Sequence, residues 1–158
     1  MRDSTDWLPT SYRTHTIGQI VSGGADLVGE EVSAAGYAET VRGRGAIAFI
    51  MLRDGTGHIQ AFAKRDNMKE ATFEALQSAT RESTIQVTGT VAQKRPPKTK
   101  EGEPAPPAEY EITVSSATIL SSAAAPLPVG VTDDVKVGLD IRLDNRYLDL
   151  RRAHVNAM

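Results

Sequence analysis

The apolar residues of this chain change their spacing twice, from every second residue to every third or fourth and back, and that order of periods restricts the fold more than any other feature. Alternation starts after Val28. Val32, Ala34, Gly36 and Ala38 share one side of a run from Glu31 to Arg42, which is expected to end in the turn Arg42-Gly43-Arg44-Gly45. Ala46 to Arg53 reads as a second strand, apolar on both faces. Asp54-Gly55-Thr56-Gly57 signals a hairpin, because Asp-Gly accepts positive φ at low cost, and His58 to Ala63 is the third strand. Met68, Ala71, Ala75, Leu76 and Ala79 then recur at helical spacing, which predicts a helix over 68–79 with Asn67 and Glu70 as its capping box. Alternation returns in Ser83 to Lys94, with Ile85, Val87, Gly89 and Val91 on one face. It continues in Glu109 to Leu120, where Tyr110, Ile112 and Val114 are expected inward. Pro96, Pro97, Pro104, Pro106 and Pro107 forbid a regular element in the loop between.

Three strands, a helix and two more strands is the order of a small Greek-key barrel. The expected class is therefore all-β dominated: a five-stranded OB-fold barrel with one helix between strands 3 and 4. Residues 1–27 are read as an N-terminal arm, with 16–27 left unassigned, and residues 28–120 as the barrel. Residues 121–141, opening on Ser121-Ser122-Ala123-Ala124-Ala125-Pro126, are read as a linker. Residues 142–158 are read as the truncated start of a further domain, and in its dense segment 142–152, Leu143, Tyr147 or Leu148, and Leu150 predict a helical stub with an apolar face. The chain stops at Met158 inside what reads as an element, so truncation is expected.

Composition removes several function classes. The absence of cysteine excludes disulfides, a thiol nucleophile and a cysteine-based zinc site. His15, His58 and His154 are isolated and show no metal-ligand spacing, so no metal site is expected. The longest apolar run, Ala46 to Leu52, is too short to span a bilayer, and Asp3 and Asp6 do not suit a signal peptide. A cytoplasmic, soluble protein with no membrane partner is the default. With a net charge of −2, any nucleic-acid site must be local. Arg42 and Arg44 form one basic group, and Lys94, Arg95, Lys98 and Lys100 another. Either group alone reads as a solvated loop. In an OB barrel, however, these two loops flank the binding face of strands 2 and 3.

The segment Arg142 to Arg152, RLDNRYLDLRR, resembles the start of the catalytic domain of class II aspartyl-tRNA synthetases of the archaeal and eukaryotic type. Phe49 to Gln60, FIMLRDGTGHIQ, is similar to the second and third strands of the anticodon-binding barrel in the aspartyl, asparaginyl and lysyl group. Tyr12-Arg13-Thr14-His15 resembles the family's short lead-in, and Pro126-Leu127-Pro128 its linker. The resemblance implies a barrel that binds the anticodon loop of a tRNA. Phe49 would stack on the middle base, a uridine. Gln60 would hydrogen-bond splayed bases, Glu111 would read a base edge, and Arg42 would contact bases or backbone. Arg44 and Lys94 would hold phosphates. Tyr37 departs from the tryptophan that archaeal relatives often carry. The whole enzyme would activate aspartate with ATP and Mg²⁺ and esterify tRNA(Asp) and, in members that accept both, tRNA(Asn). Its catalytic residues would lie beyond position 158, so none is expected here, nor a cofactor. The full-length enzyme would be a homodimer and this fragment monomeric or weakly associated.

The residue chemistry is consistent with that reading. Single-stranded loops are recognised by stacking unstacked bases on aromatics and bonding their edges. Gln60 supplies a donor and an acceptor, Glu111 acceptors only. On pattern alone Phe49 reads as core rather than platform, and Gln60 and Glu111 as ordinary solvent-face residues. An asparaginyl or lysyl enzyme is the nearest alternative, and RLDNR weighs against both. A single-strand-binding OB module would want more aromatics than 5% and a basic balance. A protein-interaction barrel is the third alternative.

Overall fold

The computed structural model of the chain describes residues 11–95, 107–132 and 136–156. Lys98 and Lys100 lie outside them. The chain divides after Ala123 into two compact units.

In the first unit, residues the sequence left unassigned form a helix, α1 (Ile17–Gly23), followed by a short 3-10 turn over Gly24–Leu27. Thr16 and Gln19 form a reciprocal capping box, with Thr16 Oγ1 accepting from Gln19 N and Gln19 Oε1 accepting from Thr16 N. Ile17 and Ile20 are fully buried, so this segment belongs to the core rather than to an arm. The strands follow: β1 (Glu31–Arg44), β2 (Ile47–Asp54) and β3 (Gly57–Lys64). A helix, α2 (Glu70–Ser78), separates them from β4 (Thr84–Gln93) and β5 (Tyr110–Ser121). Among the described residues these strands close a barrel in the order β1-β2-β3-β5-β4, as the order of periods predicts. Every pairing is antiparallel except β3 with β5, which runs parallel from Gln60↔Glu111 to Ala63↔Val114.

Strand β1 serves two partners. Its first half pairs with β4 and its second with β2, and the change of partner falls at Tyr37. Two features make that possible. A Cβ on Gly36 would sit 2.6 Å from the Arg53 carbonyl oxygen, so only glycine allows the strands to cross this closely. A bulge between Ala38 and Thr40 then turns the strand and resets its alternation. Beyond the bulge the β1–β2 ladder runs on to Arg44↔Ile47. Arg42 and Arg44 therefore stand on the strand rather than in a loop, and the turn shrinks to Gly45 (φ 62°) and Ala46.

Ile50, Leu52, Ile59, Ile85, Val87, Ile112 and Val114 fill the barrel. Phe73 and Leu76 of α2 join the same cluster and are fully buried. Burying side chains of this kind contributes roughly 1.5–3 kcal/mol each. Of the inward face expected for α2, Leu76 is buried and Met68 and Ala79 pack against the core, but Ala71 and Ala75 are exposed and Phe73 is inside. The predicted capping box is also absent. Asn67 ends a separate 3-10 turn, Lys69 holds the N-cap position, and Glu70 pairs with Arg65 at 2.9 Å.

In the second unit the helix expected in the segment 142–152 is broken, and three short helices form instead: α3 (Leu139–Asp144), α4 (Arg146–Asp149) and α5 (Ala153–Asn156). The break is at Asn145, whose φ of −117° and ψ of 39° are not helical. The expected apolar face is not packed: Leu143, Tyr147 and Leu150 are exposed, while Leu148 and Asp149 are buried. Arg142 forks onto the Asp149 carboxylate through Nε at 3.0 Å and Nη2 at 3.1 Å, and Arg146 and Arg152 add 3.1 and 3.4 Å contacts. The Arg142 guanidinium, bonded to Asp149, holds that carboxyl below the usual aspartate range and is itself raised.

Candidate nucleic-acid interface

The outward-facing side chains of β2, β3 and β5 fall into rows set by strand register, since residues directly opposite share a face. One row reads Arg42↔Phe49↔Phe62↔Thr113 across β1, β2, β3 and β5. The next reads Thr40↔Met51↔Gln60↔Glu111. The residues between them, Ile50, Ala61 and Ile112, point into the core and are fully buried. The inward pattern of the core therefore fixes the outward pattern of the surface, because a slip by one residue would exchange the two.

Phe49 lies on this outer face and is 38% exposed, which is unusual for a phenylalanine in an apolar run and removes the core reading. Its ring packs on Phe62, with centroids 5.3 Å apart and planes tilted by 37°. The pair forms a small aromatic floor. Phe62 was not singled out in the sequence, although the alternation of β3 places it outward with Gln60. Beside that floor, Gln60 Nε2 donates to Glu111 Oε2 at 2.7 Å. The bond fixes both side chains, leaving the Gln60 carbonyl and the second Glu111 oxygen as acceptors at the surface.

The basic residues stand at the two ends of these rows. Arg42 is opposite Phe49 and Arg44 is two residues beyond it, both exposed. Lys94 follows the last residue of β4, and its ammonium pairs with Glu109 at 2.8 Å. That hydrogen bond and charge hold the Glu109 carboxyl below the ordinary carboxylate range. Arg95 is exposed next to it. Arg42, Phe49, Gln60 and Glu111 thus share one face, with Arg44 and Lys94 at its opposite margins.

Tyr37 stands apart, 38% exposed where β1 changes partners. Arg53 and Asp54 serve the framework. Arg53 bonds the buried Glu82 carboxylate at 3.2 Å. Asp54 accepts from Ile17 N, Thr56 N and Gly57 N, tying the β2–β3 hairpin to the start of α1. Between α1, β3 and the start of β5 lies a groove of about 400 Å³, with Val21, Met51, His58, Gln60, Lys94 and Tyr110 among its walls. No group of three or more His, Asp or Glu side chains is placed to hold a metal ion among the described residues. None of their helices is long and apolar enough to cross a membrane.

An exposed aromatic pair, an amide–carboxylate pair and cations at the margins can stack bases, bond their edges and hold phosphates. Comparison with known proteins points the same way. The sequence profile of the OB-fold nucleic acid binding domain of the tRNA anticodon type matches residues 32–120. Over 128 residues the chain is 44% identical to the aspartate–tRNA(Asp) ligase of Picrophilus torridus, a match covering 81% of this chain and 27% of that protein. Over 140 residues it is 39% identical to the aspartate–tRNA(Asp/Asn) ligase of Micrococcus luteus, covering 89% of this chain and 21% of that one. Among solved structures, the aspartyl-tRNA synthetase of Entamoeba histolytica superposes with a TM-score of 0.71 at 27% identity, over 86% of this chain and 32% of that one. The chain therefore spans less than a third of the length of each of these relatives.

Proposed function

Because this chain belongs to the tRNA-anticodon family of OB-fold nucleic acid binding domains, we propose that its barrel reads the anticodon loop of a tRNA on behalf of an aspartate–tRNA ligase. The observation that carries this reading is the placement of Phe49, Gln60 and Glu111 on one exposed face, joined by the 2.7 Å bond between the last two. Phe49, backed by Phe62, stacks a splayed base. Gln60 presents a donor and an acceptor to a pyrimidine edge, and Glu111 accepts from a donor-bearing edge. Arg42, Arg44 and Lys94 engage the backbone and set the register of the loop without reading sequence.

The ligase partner is tRNA(Asp). The Micrococcus luteus relative carries both tRNA(Asp) and tRNA(Asn) in its name, and that similarity supports tRNA(Asn) as a second ligand here. Aspartate activation with ATP and Mg²⁺ is work of the whole ligase, a cytoplasmic homodimer in this reading. No described residue is assigned to either reactant. What the barrel contributes to that reaction is position, since an anchored anticodon restricts where the acceptor end can lie.

The test is binding of the purified chain to anticodon stem-loops of aspartate, asparagine and lysine tRNAs, with Phe49→Ala alongside. The expected result is preference for the aspartate loop and a loss on Phe49→Ala of about 1–3 kcal/mol, the worth of one stacked base. Equal binding to all three loops, unaffected by Phe49→Ala, would overturn the assignment. The asparagine loop tests the second ligand in the same experiment.

A further inference from the structure

We propose that the RNA site extends one nucleotide beyond the bases held by Phe49, Gln60 and Glu111, into the groove between α1, β3 and the start of β5. This rests on the anticodon reading above and deepens it. The groove is continuous with that face, because Gln60 and Met51 belong to its wall as well as to the outer row of β2 and β3. Its volume of about 400 Å³ falls within the roughly 300–1,000 Å³ of small-ligand pockets.

The lining has the chemistry of a nucleotide site. Val21, Met51 and the Tyr110 ring offer apolar surface for the faces of a base, and the exposed His58 imidazole offers a ring that can stack. Glu109 supplies an edge partner, and Lys94 stands where a phosphate would pass. Lys94 is already bonded to Glu109 at 2.8 Å, so this end carries one cation and one anion. A neutral base with a single flanking phosphate suits that balance better than a free polyanion does. The Val21 wall comes from α1, whose first turn is held by the β2–β3 hairpin. Asp54 accepts from Ile17 N at 3.0 Å and Thr56 Oγ1 from Gly18 N at 2.8 Å. The N-terminal helix thereby becomes part of the RNA-binding surface.

The experiment uses the aspartate-tRNA anticodon stem-loop, intact or with an abasic nucleotide on the 5′ or the 3′ side of the triplet. Each is titrated into the chain and into His58→Ala and Phe49→Ala. The expected result is that removing the base on one of the two sides weakens binding about fivefold or more, as loss of a stacked base does. His58→Ala should cause a comparable loss with the intact loop, and the two changes together should cost little more than either alone. If neither abasic loop is weakened, or His58→Ala binds the intact loop as the parent chain does, the inference is wrong. In that case a loss confined to Phe49→Ala would leave the anticodon reading standing. Failure of the parent chain to bind the intact loop at all would overturn both.

Discussion

Gln60 Nε2 donates to Glu111 Oε2 at 2.7 Å across the parallel pairing that closes β3 onto β5. The two residues are 51 apart in sequence, and only barrel closure brings them together. A bond to a carboxylate is worth roughly 1.5–3 kcal/mol, and here it also holds the glutamine amide in one orientation. Glu111→Ala removes a base partner and frees Gln60 at once, so it is expected to weaken anticodon-loop binding more than Glu111→Gln. A fluorescence-anisotropy titration of both variants checks this. Equal losses would mean that the carboxylate acts alone and that the pairing has no part in recognition.

The cations at the two margins predict a specific salt dependence. Each phosphate neutralised on a single strand contributes about −0.7 to the slope of log affinity against log salt. Arg42→Ala and Arg44→Ala should each flatten that slope by about this amount and weaken cognate and non-cognate loops alike. Lys94→Ala should do less, because Glu109 already occupies its ammonium at 2.8 Å. An unchanged slope in Arg42→Ala and Arg44→Ala would remove both residues from the phosphate path.

The barrel was legible in the sequence because its strands bury alternate residues. Val32, Ala34, Ile85, Val87, Ile112 and Val114 carry the period, and all are buried. The outer face was less legible for the same reason. Phe49 lies in a run that is apolar on both sides, so pattern alone favoured the core, and only the family resemblance placed it outside. Phe62 could have been found from the polar Gln60 two residues before it. The bulge at Ala38/Thr40 left no mark in the apolar pattern, so the strand was expected to turn at Arg42 two residues early. Helix α1 was missed because Ile17 and Ile20 lie in a short segment rich in glycine. Its capping signature, Thr16 with Gln19, was nevertheless present in the sequence. In α2 Leu76 faces the core as its spacing predicts, but Phe73 takes the place expected of Ala71 and Ala75, and its ring lies 5.2 Å from the Arg65 guanidinium.

Asp54 predicts a loss of stability with a known origin. Its two oxygens accept from the backbone of Ile17, Thr56 and Gly57 and from the Thr56 hydroxyl. Asp54→Ala takes the acceptor from those N–H groups and removes one of the bonds that tie α1 to the hairpin, the Gly18 N–Thr56 Oγ1 bond being another. Losing a capping acceptor costs about 0.5–2 kcal/mol, and each kcal/mol lowers the melting temperature by roughly 2–8 °C across the domain sizes that bracket this one. A thermal melt followed by circular dichroism measures it. Asp54→Asn, which keeps an acceptor oxygen, should fall between Asp54→Ala and the parent chain. A melt of Asp54→Ala that overlays the parent's would show that Asp54 does not hold α1, leaving that work to buried Ile17 and Ile20 and to the Gly18 N–Thr56 Oγ1 bond.

Asp149 gives a prediction about pH in the second unit. Its bond to Arg142, with further attraction from Arg146 and Arg152, places the folded carboxyl below its ordinary value of about 3.9. A carboxyl lowered on folding contributes stability that is complete above its unfolded pKa and disappears as pH falls through the folded one. The α3–α4 segment is therefore expected to hold its structure from neutrality down to about pH 4 and to loosen only below that. The side-chain Nε–H resonance of Arg142, bonded to Asp149 at 3.0 Å, reports the event directly. It should keep its shift across the neutral range and move toward the free-arginine position in acid. Asp149→Asn should show the free-arginine shift at every pH, with weakened amide protection at Leu148 and Leu150. A resonance that moves already between pH 7 and 5, or an Asp149→Asn spectrum matching the parent's, would mean that the aspartate does not organise the arginines around it.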